Sequence, residues 1–206
     1  MPRITFVTLR RYTGAICVAC GRAVGEINEI KNGHIRATTF QFMRQTFLMV
    51  LIISTLFACG QIAKTERQGE PDIYSVEGDD PEMNKAIARS RETFNDFFSA
   101  LSSKKETQSA YSIKMPFPTE TGAEHIWLVD IELNDGKMFG YIDNVPDQVS
   151  SIKLGDKVEI DRNKISDWFY IENNRLIGGL TIRVLRDRME PEEKKQFDEA
   201  YGVKFD

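Results

Sequence analysis

Cysteine is confined to the first third of the chain. Cys17, Cys20 and Cys59 are its three, so nothing beyond residue 59 can form a disulfide or attack as a thiolate. Histidine is scarcer still: after Cys59 only His125 remains. A zinc site built on two or three imidazoles is therefore excluded there. A carboxylate-only site would suit calcium or magnesium, yet the chain has no dense acidic loop of the calcium-binding kind. Gly178-Gly179 lacks the Lys-Ser/Thr that completes a phosphate-binding loop. No metal and no cofactor is expected. Internal repeats and low-complexity tracts are absent. Positive charge is also in short supply. From Cys59 on, 20 Lys/Arg face 29 Asp/Glu, a net charge of about −9 against −4 for the whole chain. Such a chain has no electrostatic footprint for nucleic acid and is repelled by anionic lipid.

Long apolar runs are lacking too. The longest, Phe47 to Phe57, is broken by Ser54 and Thr55. It falls short of the roughly 20 apolar residues that cross a bilayer. Its surroundings explain it better. Met43-Arg44 is a short positive end, and Leu56-Phe57-Ala58-Cys59-Gly60 places a small residue before a cysteine. These are the three parts of an export signal, and a cysteine at the cut resembles the lipobox of bacterial lipoproteins. That resemblance implies cleavage before Cys59, a lipid on its thiol and attachment to a membrane facing the periplasm. Gly60 is not the aspartate that resembles an inner-membrane retention signal, so the outer membrane is favoured.

A signal at residues 43–58 makes Met1 to Phe42 anomalous. The segment carries six Lys/Arg and no sustained period of 3.6 or 2. Arg10-Arg11 is not followed by an unbroken apolar run, and Cys17, Cys20 and His34 lack the fourth ligand of a zinc site. Residues 1–42 are therefore read as a disordered upstream extension, with translation from Met43. Residues 59–79 are polar and read as a flexible tether.

Folding is expected from Asp80 to Asp206, as one domain. Asp80, Pro81 and Glu82 supply an N-cap, a first-turn proline and a dipole-matched acid. Met83, Ile87, Phe94, Phe97, Phe98 and Leu101 then mark one face of a helix ending near Leu101. Period 2 takes over at Tyr111, Ile113, Met115 and Phe117, which predicts a half-buried strand with Lys114 on its polar side. Further strands are predicted over Ile126–Leu133, Met138–Ile142, around Val158 and Ile160, over Trp168–Ile171 with Leu176-Ile177, and over Thr181–Leu185. Asn134-Asp135-Gly136 is a hairpin signal, and Gly178-Gly179 suggests a bulge or a close backbone approach. A short helix follows from Glu190-Pro191 to Gly202. The pattern reads as α+β: a curled antiparallel sheet, an N-terminal amphipathic helix and a short C-terminal helix.

Within this region Glu124-His125-Ile126-Trp127, Gly155-Asp156-x-Val158, Ile165-x-Asp167-Trp168 and Gly178-Gly179-x-Thr181-x-Arg183 occur in order. Together they resemble the YegJ-like family of bacterial proteins, a domain of unknown function. Some of its members are small envelope lipoproteins. The resemblance implies the domain identity and brings no activity or catalytic residue with it.

Candidate residues therefore come from the chemistry of the side chains. His125 and Trp127 share one strand face, Asp167 can orient Trp168 or a neighbouring turn, and Thr181 and Arg183 share a strand face beside Gly178 and Gly179. A guanidinium there could hold an anion bidentately. Pairs of acids, Asp130 with Glu132 and Asp161 with Asp167, could serve as catalytic carboxylates, and Ser150, Ser151 or Ser166 could join His125 as a nucleophile. None of these sets has a sequence motif behind it. The expected function is a lipid-anchored, monomeric, non-catalytic binding or interaction module with a protein or peptide partner in the envelope. Alternatives are an envelope hydrolase using His125 with neighbouring carboxylates, and an acidic inhibitor or immunity-type protein.

Overall fold

A computed structural model describes residues 62–68 and 72–205 and the backbone of Arg3–Val7. Residues 43–58, read above as an export signal, and Cys59 lie outside the described residues, as do Arg10, Arg11, Cys17, Cys20 and His34.

Asp80 begins the first helix as its chemistry requires. Its carboxylate accepts the Met83 amide at 2.9 Å, Pro81 opens α1 (Pro81–Glu92) and Glu82 sits in the first turn. The single helix expected to Leu101 is broken at Thr93, whose hydroxyl donates back to the Arg89 carbonyl at 2.8 Å. A second helix, α2 (Phe94–Ser103), follows at once. The break lets one stretch of sequence serve both faces of the sheet. Met83 and Ile87 of α1 join one core, and Phe94, Phe97 and Leu101 of α2 join the other.

The strands are β1 (Arg3–Val7), β2 (Ala63–Thr65), β3 (Ile73–Glu77), β4 (Gln108–Pro118), β5 (Gly122–Asn134), β6 (Lys137–Ile142), β7 (Lys157–Glu159), β8 (Asp167–Glu172) and β9 (Arg175–Gly178). They form one curled sheet in the order β2-β3-β1-β5-β4-β8-β9, with β6 paired to the second half of β5 and β7 to β6. Every pairing is antiparallel except β1 with β5. Asp135 and Gly136, at φ 49° and 76°, turn β5 into β6, and Asn173 and Asn174, at 49° and 62°, turn β8 into β9. Two consecutive left-handed residues match the twist of a hairpin. The α+β class and the curled sheet are as the sequence predicts.

Other expectations are corrected as well. Thr181–Leu185 is not a strand: α3 (Leu180–Asp187) is a helix that buries Thr181, Ile182 and Leu185. The β-branched residues suggested a strand, but the spacing of the buried ones is helical, and Gly178 and Gly179 at φ 81° and 63° end β9 just before it. The tether is not free of structure, because β3 buries Ile73, Tyr74 and Val76. Charge on either side of that short apolar run concealed it. Arg3–Val7 stands as a strand between β3 and β5, inside a segment expected to contribute nothing.

The helix α4 (Pro191–Tyr201) ends at Gly202 with φ 65°. With α1 and α3 it covers the face of the sheet that carries Tyr74, Trp127 and Phe169. The opposite face carries Ile113, Ile126, Leu128 and Trp168 and is covered by α2 and the curl of β6 and β7. Central strands are thus buried on both sides. That is why β4, expected to wet one face, hides Ser112 and Lys114 as well as Ile113 and Met115.

Candidate functional site

Lys114, the residue assigned to the polar side of β4, is 1 % exposed. Strand register sets it beside Trp127 of β5 and Asp167 of β8, all on the face covered by α1 and α3. Its Nζ lies 4.3 Å from the centre of the Trp127 ring and donates to the Thr181 hydroxyl at 3.2 Å. That hydroxyl in turn donates to Asp167 Oδ2 at 2.6 Å. Burial pulls the Lys114 ammonium down to about 7, with the Asp167 charge opposing the fall.

Asp167 is the hub of the cluster. Besides Thr181 it accepts the Ser90 hydroxyl at 3.0 Å and the amides of Trp168, Leu180 and Thr181 at 2.8, 3.1 and 2.8 Å. Two of those amides open α3, so a carboxylate from β8 caps a helix that has no cap of its own. Asp167, expected to orient Trp168 or a neighbouring turn, thus holds the start of a helix. Trp168 points to the other face, stacked on Tyr170 and tilted against Phe97, and its indole donates to the Ser90 carbonyl at 2.8 Å. Gly178 packs against this tryptophan: a Cβ there would strike the Trp168 carbonyl and lie 2.7 Å from its ring. The close approach signalled by Gly178-Gly179 is therefore internal.

The other candidates divide. His125 and Trp127 do share a face, but both are buried. Desolvation, then the charges of Lys114 and Arg91, push the His125 imidazole down to about 3. Arg183 lies on a helix, so it shares no strand face with Thr181. Its guanidinium donates to the carbonyls of Gly178 at 3.1 Å and Leu176 at 2.7 Å and ties α3 to β9. Glu132 is engaged by Lys157 at 2.6 Å and the Tyr141 hydroxyl at 3.1 Å. Asp161 caps the 3-10 turn Arg162–Lys164. Ser166 donates to the Lys114 carbonyl, while Ser150 and Ser151 are exposed. The cluster of Lys114, Thr181 and Asp167 could pass a proton along its two hydrogen bonds, but it is sealed between sheet and helices. The sequence carried one signal of it: a lysine inside a strand whose neighbours on both sides are core residues.

An open feature lies elsewhere. Registered pairing of β4 with β5 stops at Ile113 opposite Leu128. Beyond it β4 continues with β8 and β5 with β6, each through a bulge, at Ser109/Ser112 and Val129/Glu132. The parted strands leave a cleft of about 320 Å³ lined by Leu101, Lys104, Tyr111, Val129, Asp130 and Glu132, with Ala110 and Ile131 completing the wall. Three of these residues hold left-handed backbones without being glycine: Lys104 at φ 29°, Ala110 at 53° and Asp130 at 49°. Each costs on the order of 1–2 kcal/mol for an L-residue, and bulges and strain concentrate beside functional sites. Acidic and basic side chains rim an apolar floor there.

Comparison with known proteins agrees with the domain but adds no activity. Over 145 residues, 66 % of this chain and 57 % of the relative, it is 33 % identical to a "Putative ankyrin repeat protein" of Neisseria meningitidis serogroup B. It is 30 % identical to "Uncharacterized protein YegJ" of Escherichia coli K12 over 100 residues, 48 % of this chain and 64 % of the relative. The chain thus spans about three-fifths of the length of these curated relatives. No solved structure matches it. Residues 80–205 match the family described as "Uncharacterized protein conserved in bacteria (DUF2314)", and it is to this YegJ-like bacterial family that the chain belongs.

Proposed function

We propose that this protein is a lipid-anchored envelope module that binds a partner through the cleft between β4 and β5 and catalyses no reaction. The observation that carries this reading is the division of labour among polar side chains. Asp167, Thr181 and Arg183 spend their hydrogen-bonding on the interior, and His125 is buried there as a neutral imidazole. The strained residues and the open concavity occur together at a different place. An imidazole held near 3 is a poor base at neutral pH, which weighs against the hydrolase alternative. The cleft suits an extended peptide or a small zwitterion: Lys104 offers a cation, Asp130 an acid, and Leu101 and Val129 apolar contact.

Anchoring rests on the lipobox-like stretch ending at Cys59. No described helix is long and apolar enough to cross a membrane, and two or three acyl chains at roughly 0.8 kcal/mol per buried CH₂ would hold the domain firmly. The test is a photo-crosslinking residue in place of Lys104, in living cells. A discrete adduct lost when Val129→Arg fills the cleft is expected. No adduct, or one indifferent to Val129→Arg, would overturn the cleft.

A further inference from the structure

We infer that the place in the sheet held by Arg3–Val7 is an exchangeable strand slot, and that in the processed protein it receives an extended segment of a second polypeptide. The inference rests on the reading above that the chain is cut before Cys59.

Two observations define the slot. β1 is bracketed by strands that do not pair with each other: Thr5 stands opposite Ser75 of β3 on one side and Glu124 of β5 on the other. It is antiparallel to the first and parallel to the second. Its link to β2 runs through residues 8–61, so it reaches the sheet from a distant part of the chain, and a cut before Cys59 separates it from the domain. Both walls are fixed without it. β5 pairs with β4 from Ala123 to Leu128. β3 is held by its own side chains, because Tyr74 and Val76 sit in the core with Met83 and Leu185. The Tyr74 hydroxyl also reaches Glu193 of α4 at 3.5 Å, and Asp80, just after β3, is clamped by Arg188 at 2.6 and 2.8 Å.

The walls therefore stay about two strand spacings apart, roughly 10 Å. Closing the gap by pairing β3 directly with β5 would drag Tyr74 and Val76 out of the core. Left empty, it would present two rows of unsatisfied backbone donors and acceptors deep in a sheet, a condition that favours strand addition. The register states what the occupant must be. Its second and fourth positions, those of Ile4 and Phe6, fall opposite Val76 and Tyr74, which belong to the covered face. The third falls opposite Ser75 and Glu124. The slot thus selects a segment of about five residues with apolar side chains at two alternate positions and no proline between them. The cleft between β4 and β5 is a separate place.

Hydrogen exchange on the full chain tests this independently of processing, which intact mass decides. Thr5→Pro removes an amide and breaks β1. Exchange is expected to quicken at least tenfold at Ile73–Glu77 and Gly122–His125 alone, and a synthetic peptide of residues 2–8 added in trans is expected to restore protection. The same peptide carrying the proline should not restore it. The inference is overturned if Thr5→Pro leaves the two strands protected, or if the peptide fails to restore them. It is equally overturned if both peptides act alike, or if protection is also lost in β4 and β8, which would make β1 an integral part of the core.

Discussion

At the scale of the residue, the centre of the molecule is a buried charge pair whose two members are not equivalent. Asp167 satisfies five donors from Ser90, Trp168, Leu180 and Thr181, and Lys114 donates to the Thr181 hydroxyl and lies over the Trp127 ring. Removing the acid leaves five donors without their acceptor and uncaps α3, so Asp167→Ala should cost about 3–5 kcal/mol in urea unfolding. Lys114→Met leaves the carboxylate well bonded and should cost clearly less. Both buried bases shape the pH profile. His125 falls from 6.5 unfolded to about 3 folded, so between those values the unfolded state holds the extra proton. Stability should rise with pH across that window, by up to about 1.4 kcal/mol per unit for one group. It should be lost again as pH falls below 6.5. Lys114 repeats the same sign between about 7 and 10.5. His125→Gln should flatten the acid limb and leave the alkaline one, as read by melting temperature from pH 4 to 10. An acid limb unchanged by that substitution would show that His125 is not buried as described.

At the scale of the element, the joint between β9 and α3 carries the most specific geometry. Gly178→Ala must push a methyl into Trp168 at φ 81°, and a cost of about 2–4 kcal/mol is expected from strain and overpacking together. Gly179→Ala meets the side chains of Leu176 and Ile182 and no backbone, and should cost about half as much. Gly136, with open space around it, should cost little beyond its left-handed backbone, about 1 kcal/mol. The opposite sign is expected at the cleft: Ala110→Gly relieves a left-handed alanine and should stabilise by up to about 1 kcal/mol. This joint also shows what sequence can carry. Asn134-Asp135-Gly136, Asp80-Pro81 and Gly202 act within a few residues, and their turn, cap and stop were legible. α3 was not, because its cap comes from Asp167, thirteen residues upstream on another strand. Lys114 was misread for the same reason: only the layering of helices on both faces makes its side of β4 an interior.

At the scale of the whole molecule, a lipid at Cys59 would place the domain at a membrane surface with a net charge of about −9. Cys59→Ser should abolish incorporation of labelled fatty acid and leave the signal uncut; unchanged labelling would remove the anchor from the account. The overall class was readable because alternation and turn chemistry are local. The contribution of β3 and the parting of β4 from β5 were not, since both depend on which strands meet. The central claim is that the polar interior holds the fold while the cleft does the binding. It is tested most directly by the yield of the crosslinked adduct from position 104, per folded molecule, in His125→Gln and Val129→Arg variants. The account predicts that the adduct survives His125→Gln and disappears with Val129→Arg. An adduct abolished by His125→Gln and retained with Val129→Arg would contradict it.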